Sequence, residues 1–227
     1  MWAIMKKELK TIFYSPIGYI VIAAFLIVFG VLLYIMSLTN RSVDLSSVYY
    51  GTALYGLPII VTVLTMRSFS EEKNKQTDQI LYMSPRSTIS IVFGKFFAIM
   101  SVILISLILS LIYFVILKSY GNPSFKLVLI TILGFILLSM AYVSFGILVS
   151  SLTENQVVSA IITLVFLMLP LFLSFGNGAL SYLSLIDLYS KFPVGVISAK
   201  EIIGLTSFTA MCILLIVLTI KRRKIYR

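Results

Sequence analysis

The sequence contains no histidine. That removes the commonest general base and the commonest metal ligand. It has one cysteine, Cys212, so an intramolecular disulfide and a cysteine-cluster metal site are both excluded, and no metal centre is expected. Charge is scarce: 11% of the 227 residues are Asp, Glu, Lys or Arg, against about 25% in a soluble domain. Acids are the scarcer sign, eight against eighteen, giving a net charge of +10. What fills the chain instead is apolar: 60% is hydrophobic and the mean hydropathy is +1.09. One soluble core cannot hold that excess, which excludes an ordinary soluble enzyme, and disorder would need low hydrophobicity. The class implied is a polytopic α-helical membrane protein. The positive balance does not indicate nucleic acid, because the basic residues are not gathered on a polar domain.

Six stretches lack any Asp, Glu, Lys or Arg: residues 17–38, 48–66, 96–117, 127–149, 157–175 and 202–220. A helix needs about 20 residues to cross a hydrocarbon core, and each stretch reaches that length, three of them barely. Continuous apolar runs favour helices over a barrel, whose strands alternate. The first run is too long for a signal-peptide core, and no small-x-small cleavage site follows it, so it is expected to be a retained helix. With both termini on the cytoplasmic side, Lys and Arg in the connections and tails divide thirteen inside to five outside, the expected bias. The whole of 1–227 is expected to be a single membrane domain.

Three connecting segments carry more pattern than a loop needs. Over residues 1–14, Trp2, Met5, Leu9, Ile12 and Phe13 share one helical arc, and Lys6, Lys7 and Lys10 share the next, which predicts an amphipathic helix on the membrane surface. Glu8 lies off the basic arc, and Ser15-Pro16 ends the helix. Residues 67–95 hold Glu71 and Lys75 at i,i+4 and Lys75 and Asp78 at i,i+3, which support a short polar helix, with a turn at Ser84-Pro85. Residues 176–201 are too apolar for a free loop and too short to span twice. Short re-entrant or interfacial helices at the outer surface are expected there, one of them over 180–189, with a break at Phe192-Pro193 and Gly195.

Catalytic signatures are missing. Gly94-Lys95 is followed by Phe96, and Ile89 stands where a P-loop needs its first glycine, so the chain cannot cradle ATP by that route. There is no His-Glu-x-x-His helix and no Gly-x-Ser-x-Gly turn. Spans without acids or bases also disfavour an ion-coupled carrier.

The sequence resembles the permease subunits of type-2 ABC exporters, the ABC-2 membrane family. Met5-Lys6-Lys7-Glu8-Leu9 running to Ser15-Pro16-Ile17-Gly18-Tyr19 is similar to that family's connecting helix and first-span entry. Arg67 with Glu71, the polar pair Thr77-Asp78, then Leu81 and Pro85 is similar to its signature after the second span. Thr77-Asp78 replaces the commoner Gly-Thr pair. Gly94-Lys95, the turn from Gly146 through Ser150-Ser151 to Asn155-Gln156, and Phe192-Pro193-Val194-Gly195 complete five motifs in order.

The resemblance implies a chain with no catalytic site of its own, in the inner membrane of a bacterium. Its partners would be a separate ATP-binding cassette ATPase carrying ATP and Mg, a second permease copy (identical or related), and membrane lipid. Glu71, Glu72, Lys73, Lys75, Thr77 and Asp78, with Ser151, Glu154 and Asn155, would couple to the ATPase. Tyr50, Tyr55 and Pro58 on the second span and Thr163, Phe166 and Pro170 on the fifth would face the translocation path. Trp2, Lys6, Lys7 and Lys10 would mark the surface helix. Charge-free spans favour hydrophobic or amphipathic cargo, foremost a peptide, toxin or bacteriocin, then a drug, lipid or lipid-linked polymer. The alternative is a membrane scaffold whose ATPase does mechanical or assembly work.

Overall fold

The computed structural model describes residues 2–38, 44–76, 87–119, 124–173 and 185–226. The described residues are predominantly helical, with no strand among them. In chain order they form α1 (Trp2–Tyr14), α2 (Ile17–Leu33), α3 (Leu45–Gly51), α4 (Leu57–Thr65), α5 (Ser70–Asn74), α6 (Thr88–Lys118), α7 (Phe125–Leu152), α8 (Gln156–Leu173), α9 (Leu185–Ser190) and α10 (Ala199–Tyr226). A π-turn over Tyr34–Leu38 extends α2, and another over Thr52–Gly56 joins α3 to α4.

Among the described residues, five stretches are long and apolar enough to cross a membrane: Ile17–Met36, Leu45–Asn74, Thr88–Lys118, Phe125–Leu152 and Ala199–Arg222. The run expected as the fifth span is helical over α8, and its apolar part, Gln156–Pro170, is shorter. The helices overrun the charge-free stretches. The α6 helix begins at Thr88, eight residues before the expected boundary, so Lys95 lies inside it. A charge ends a hydropathy window, but it does not end a helix when its head group finds partners.

Local chemistry fixes several boundaries. Pro16 stands between α1 and α2, where its missing N–H is harmless. Asp44 caps α3, accepting from Ser46 N at 3.1 Å. Pro58 stands two residues past the end of the widened turn Thr52–Gly56. A π-turn absorbs the backbone mismatch that an interior proline creates. Asn155 Oδ1 accepts from Val157 N at 2.9 Å and starts α8.

The α7 helix is the centre of the bundle, packing on α10, α4, α6, α8, α3 and α9. Phe25 and Phe29 of α2, Tyr49 of α3 and Phe135 of α7 form a buried aromatic group, Phe29 and Tyr49 having centroids 4.8 Å apart. In its apolar part, α6 is tied to its neighbours by side-chain bonds that include Tyr49 with Ser110 at 2.9 Å and Tyr113 donating to Leu26 O at 3.0 Å. Such bonds hold helices together where lipid supplies no hydrophobic force between them. Ile20, Ile27 and Val31 of α2, Ile108, Ile112 and Val115 of α6, and Ile203, Leu214 and Leu218 of α10 are exposed, as lipid-facing positions must be.

The two ends of α7 carry different furniture. At its last turn sits α5. Along its first half sits α9, with Tyr189 and Phe192 fully buried. Of the helix expected over 180–189, the part Leu185–Ser190 is present, and 180–184 lie outside the described residues. The break expected after it is a turn over 191–195, in which Gly195 has φ +86°. A Cβ on Gly134 would come within 2.7 Å of Phe192 Cβ, so only glycine leaves that notch open.

Candidate functional site

The polar residues of the α5 end converge on two points, one on α6 and one on α7. The first is Lys95. Its side chain is 2% exposed. Its ammonium donates to Ser68 O at 2.6 Å, to Glu72 Oε1 at 2.9 Å and to Glu8 Oε1 at 3.2 Å. Three donors meet three acceptors, so the buried cation is satisfied. The Phe69 ring lies 4.8 Å away and adds a cation–π contact. Four elements therefore meet at one charge: α1 through Glu8, the turn after α4 through Ser68 and Phe69, α5 through Glu72, and α6 itself.

The second point is Ser150, in the last turn of α7. The residue preceding α5 is Phe69, which has no side-chain oxygen to cap the helix. Ser150 supplies the cap from elsewhere in the chain: its Oγ accepts from Phe69 N at 3.0 Å and Ser70 N at 3.1 Å. The same hydroxyl donates to Met66 O, and Ser70 Oγ donates to Ser150 O at 3.1 Å. Lys73 then donates to the carbonyls of Ser151 and Thr153, beyond the last intrahelical bonds of α7. A cation at a helix C-terminus is favourable, and it satisfies carbonyls that have no helical partner. Thus α5 receives its cap from α7 and returns a cation to it.

The expected coupling residues divide accordingly. Glu72 turns inward to Lys95, and Lys73 turns onto α7. Ser151 is buried, whereas Glu154 and Asn155 are exposed in the turn between α7 and α8. Glu71 and Lys75 form the expected i,i+4 pair at 2.7 Å on the open side of α5. Thr77 and Asp78 lie outside the described residues, as does the Ser84-Pro85 turn. On α1, Trp2, Lys6, Lys7 and Lys10 are all exposed. Its packed face is turned toward Ile4, Glu8 and Ile12, because Glu8 reaches Lys95.

Burial also divides the expected path residues. Pro58 and Thr163 are buried, Tyr50 is half-buried and stacked on Tyr189, and Pro170 is half-buried inside α8. Tyr55 and Phe166 are open, Phe166 stacking on Phe145 with centroids 3.9 Å apart.

The sequence places Glu8, Lys95 and Ser150 within family motifs but gives none of them its tertiary partner. Two signals were present. Lys95 opens a long apolar run with Ile91 and Ile99 at its i±4 positions, so any partner had to come from another element. Glu8 is an acid on an otherwise basic helix.

The family model described as ABC-2 family transporter protein matches residues 33–220. That match takes in α3 to α9, with Lys95 and Ser150 but not Glu8, and most of α10. No curated protein matches the chain.

Proposed function

The chain belongs to the ABC-2 family of transporter proteins, a multi-pass membrane permease, and from that premise we propose that it is half of an ATP-driven exporter. ATP and Mg are bound on a separate ATPase subunit, and a second permease chain, identical or related, completes the path. The observation that carries this reading is the strapping of α5. A five-residue helix with an open Glu71–Lys75 face is anchored through Lys95 and Ser150 to the two long helices α6 and α7. A push delivered to that face reaches the bundle without passing through a slack loop. Energetically, ATP acts by binding one conformation of the assembly more tightly than the other.

The α5 end is cytoplasmic on this reading, and the membrane is the inner membrane of a bacterium. A reporter fused after Arg227 is expected on the cytoplasmic side and one inserted at Asn122 on the outside. Protection of both on the same side from added protease would defeat the topology. Amphipathic cargo, foremost a peptide, fits spans whose apolar runs carry no charge.

The coupling test follows from the division of α5. Glu72 belongs to the Lys95 cluster, so the surface test uses Glu71 and Lys75 alone. The exchange Glu71→Lys with Lys75→Glu keeps an internal pair, which is worth only about 0.3–0.5 kcal/mol, while reversing the charges shown to a partner. Like charges juxtaposed at an interface cost several kcal/mol, so copurification of the cognate ATPase, or hydrolysis coupled to export, is expected to fall at least about tenfold. Asp187→Lys at the α9 end is expected to change neither. Normal export by an intact complex of the exchanged variant would remove α5 from the coupling role.

A further inference from the structure

A cleft of about 690 Å³ opens beside the Lys95 cluster, between α1, the start of α2, the end of α4, α5 and the first turns of α6. Its lining has two characters. Ile12, Ile17, Val63, Leu64 and Ile99 make an apolar wall, and the last four belong to stretches long and apolar enough to cross a membrane. Charged side chains make the other wall. Among these, Lys95 is held by Glu8 and Glu72, and Lys75 by Glu71. Lys7 and Arg67 are exposed, line the same cleft, and have no ion-pair partner among the described residues.

Two cations without an ion-pair partner, in a lining whose four basic and three acidic side chains leave one positive charge over, suit a singly charged anion that carries a hydrocarbon tail. A volume of this size lies within the range of small-molecule sites, about 300–1,000 Å³, room for a head group and its first methylenes rather than a whole lipid. The apolar wall continues onto the membrane-crossing stretches, so a tail can leave the cleft along them into the bilayer. The geometry points to a binding site for a membrane phospholipid, its phosphodiester on Lys7 and Arg67 and its first acyl carbons against Ile12, Ile17, Val63, Leu64 and Ile99. A bound lipid there touches α1, α4, α5 and α6 at once, and so bears on how firmly α5 is seated.

The full-length protein, extracted in mild detergent, is to be assayed for retained phospholipid by native mass spectrometry. Wild type is expected to keep a tightly bound phospholipid. Lys7→Glu with Arg67→Glu is expected to keep about tenfold less, since each basic residue near an anionic lipid contributes measurably to its binding. The milder pair Lys7→Gln with Arg67→Gln serves if the reversal disturbs folding. Lys6→Glu with Lys10→Glu reverses two exposed charges of the same helix outside the cleft and is expected to retain lipid as wild type does. Undiminished retention in both cleft variants, or equal loss in the Lys6 and Lys10 control, would overturn the site. Glycerol phosphate and inorganic phosphate are the soluble arms: displacement of the lipid by either at millimolar concentration would make this a plain phosphate site and overturn the lipid assignment. The readout is bound lipid, so the result stands apart from any export assay.

Discussion

Lys95→Met is expected to abolish transport and to leave a chain that inserts but has lost the seat of α5. The substitution roughly keeps the length of the side chain and removes its charge. Glu8 and Glu72 are then left facing one another, and Ser68 O loses its 2.6 Å donor. Breaking a buried ion pair from one side costs about 3–5 kcal/mol, because the remaining charge is uncompensated. Thermal unfolding in detergent and ATPase stimulation by the assembled complex both report the loss. Two companions separate charge from packing. Combining Lys95→Met with Glu8→Gln and Glu72→Gln is expected to restore most of the thermal stability, since no charge is then stranded. Lys95→Arg is expected to recover little: a planar five-donor fork cannot reproduce a compact three-donor head in a site that is 2% exposed. If Lys95→Met is as stable and as active as wild type, the cluster is incidental to the fold.

Gly146→Ala is expected to be the second most damaging single change, although it adds one methyl group. A Cβ at Gly146 would lie 2.8 Å from Thr65 Cβ, an atom fixed to the α4 backbone that no rotamer change can move. Helices α4 and α7 must separate there, at a cost of about 1–3 kcal/mol for overpacking. Four residues on is Ser150, whose bonds to Phe69 N and Ser70 N are already 3.0 and 3.1 Å. Separating α4 from α7 therefore uncaps α5. The check is a double-mutant cycle with Thr65→Gly, which removes the obstructing atom. Gly146→Ala is expected to cost much less in that background than in wild type. Additive costs would show that the two residues do not meet.

The long helices were legible because a charge-free run of about 20 residues has few alternatives to a helix in lipid. The Pro16 break and the Glu71–Lys75 pair were legible because both are local, written within one turn of chain. What escaped was the tertiary polar chemistry. Ser150 reads as an ordinary small residue near the end of an apolar run, and nothing local says that it caps a helix whose first residues lie eighty positions upstream. Lys95 reads as a boundary charge of the positive-inside kind, because its acids come from Glu8 and Glu72 on other elements. The six candidate path residues follow from span and residue type alone. Spacing along a single helix does not say which neighbour each face meets, and burial splits them.

The α7 helix runs unbroken through 28 residues, without proline and without a widened turn, whereas the α3–α4 stretch beside it is interrupted at Thr52–Gly56. One element of this bundle is therefore a stiff strut and the other carries a joint. The strut holds α5 at Ser150 and clasps Phe192 at Gly134, sixteen residues earlier, a lever of about 24 Å at the helical rise per residue. If it pivots near Ser150, a tilt of about 5° displaces the Phe192 clasp by about 2 Å. That is enough to unseat an aromatic ring from a notch cut to its Cβ. On the proposed topology the outer turn at Phe192 needs no separate messenger: its seating on Gly134 is set by the angle at which α7 stands.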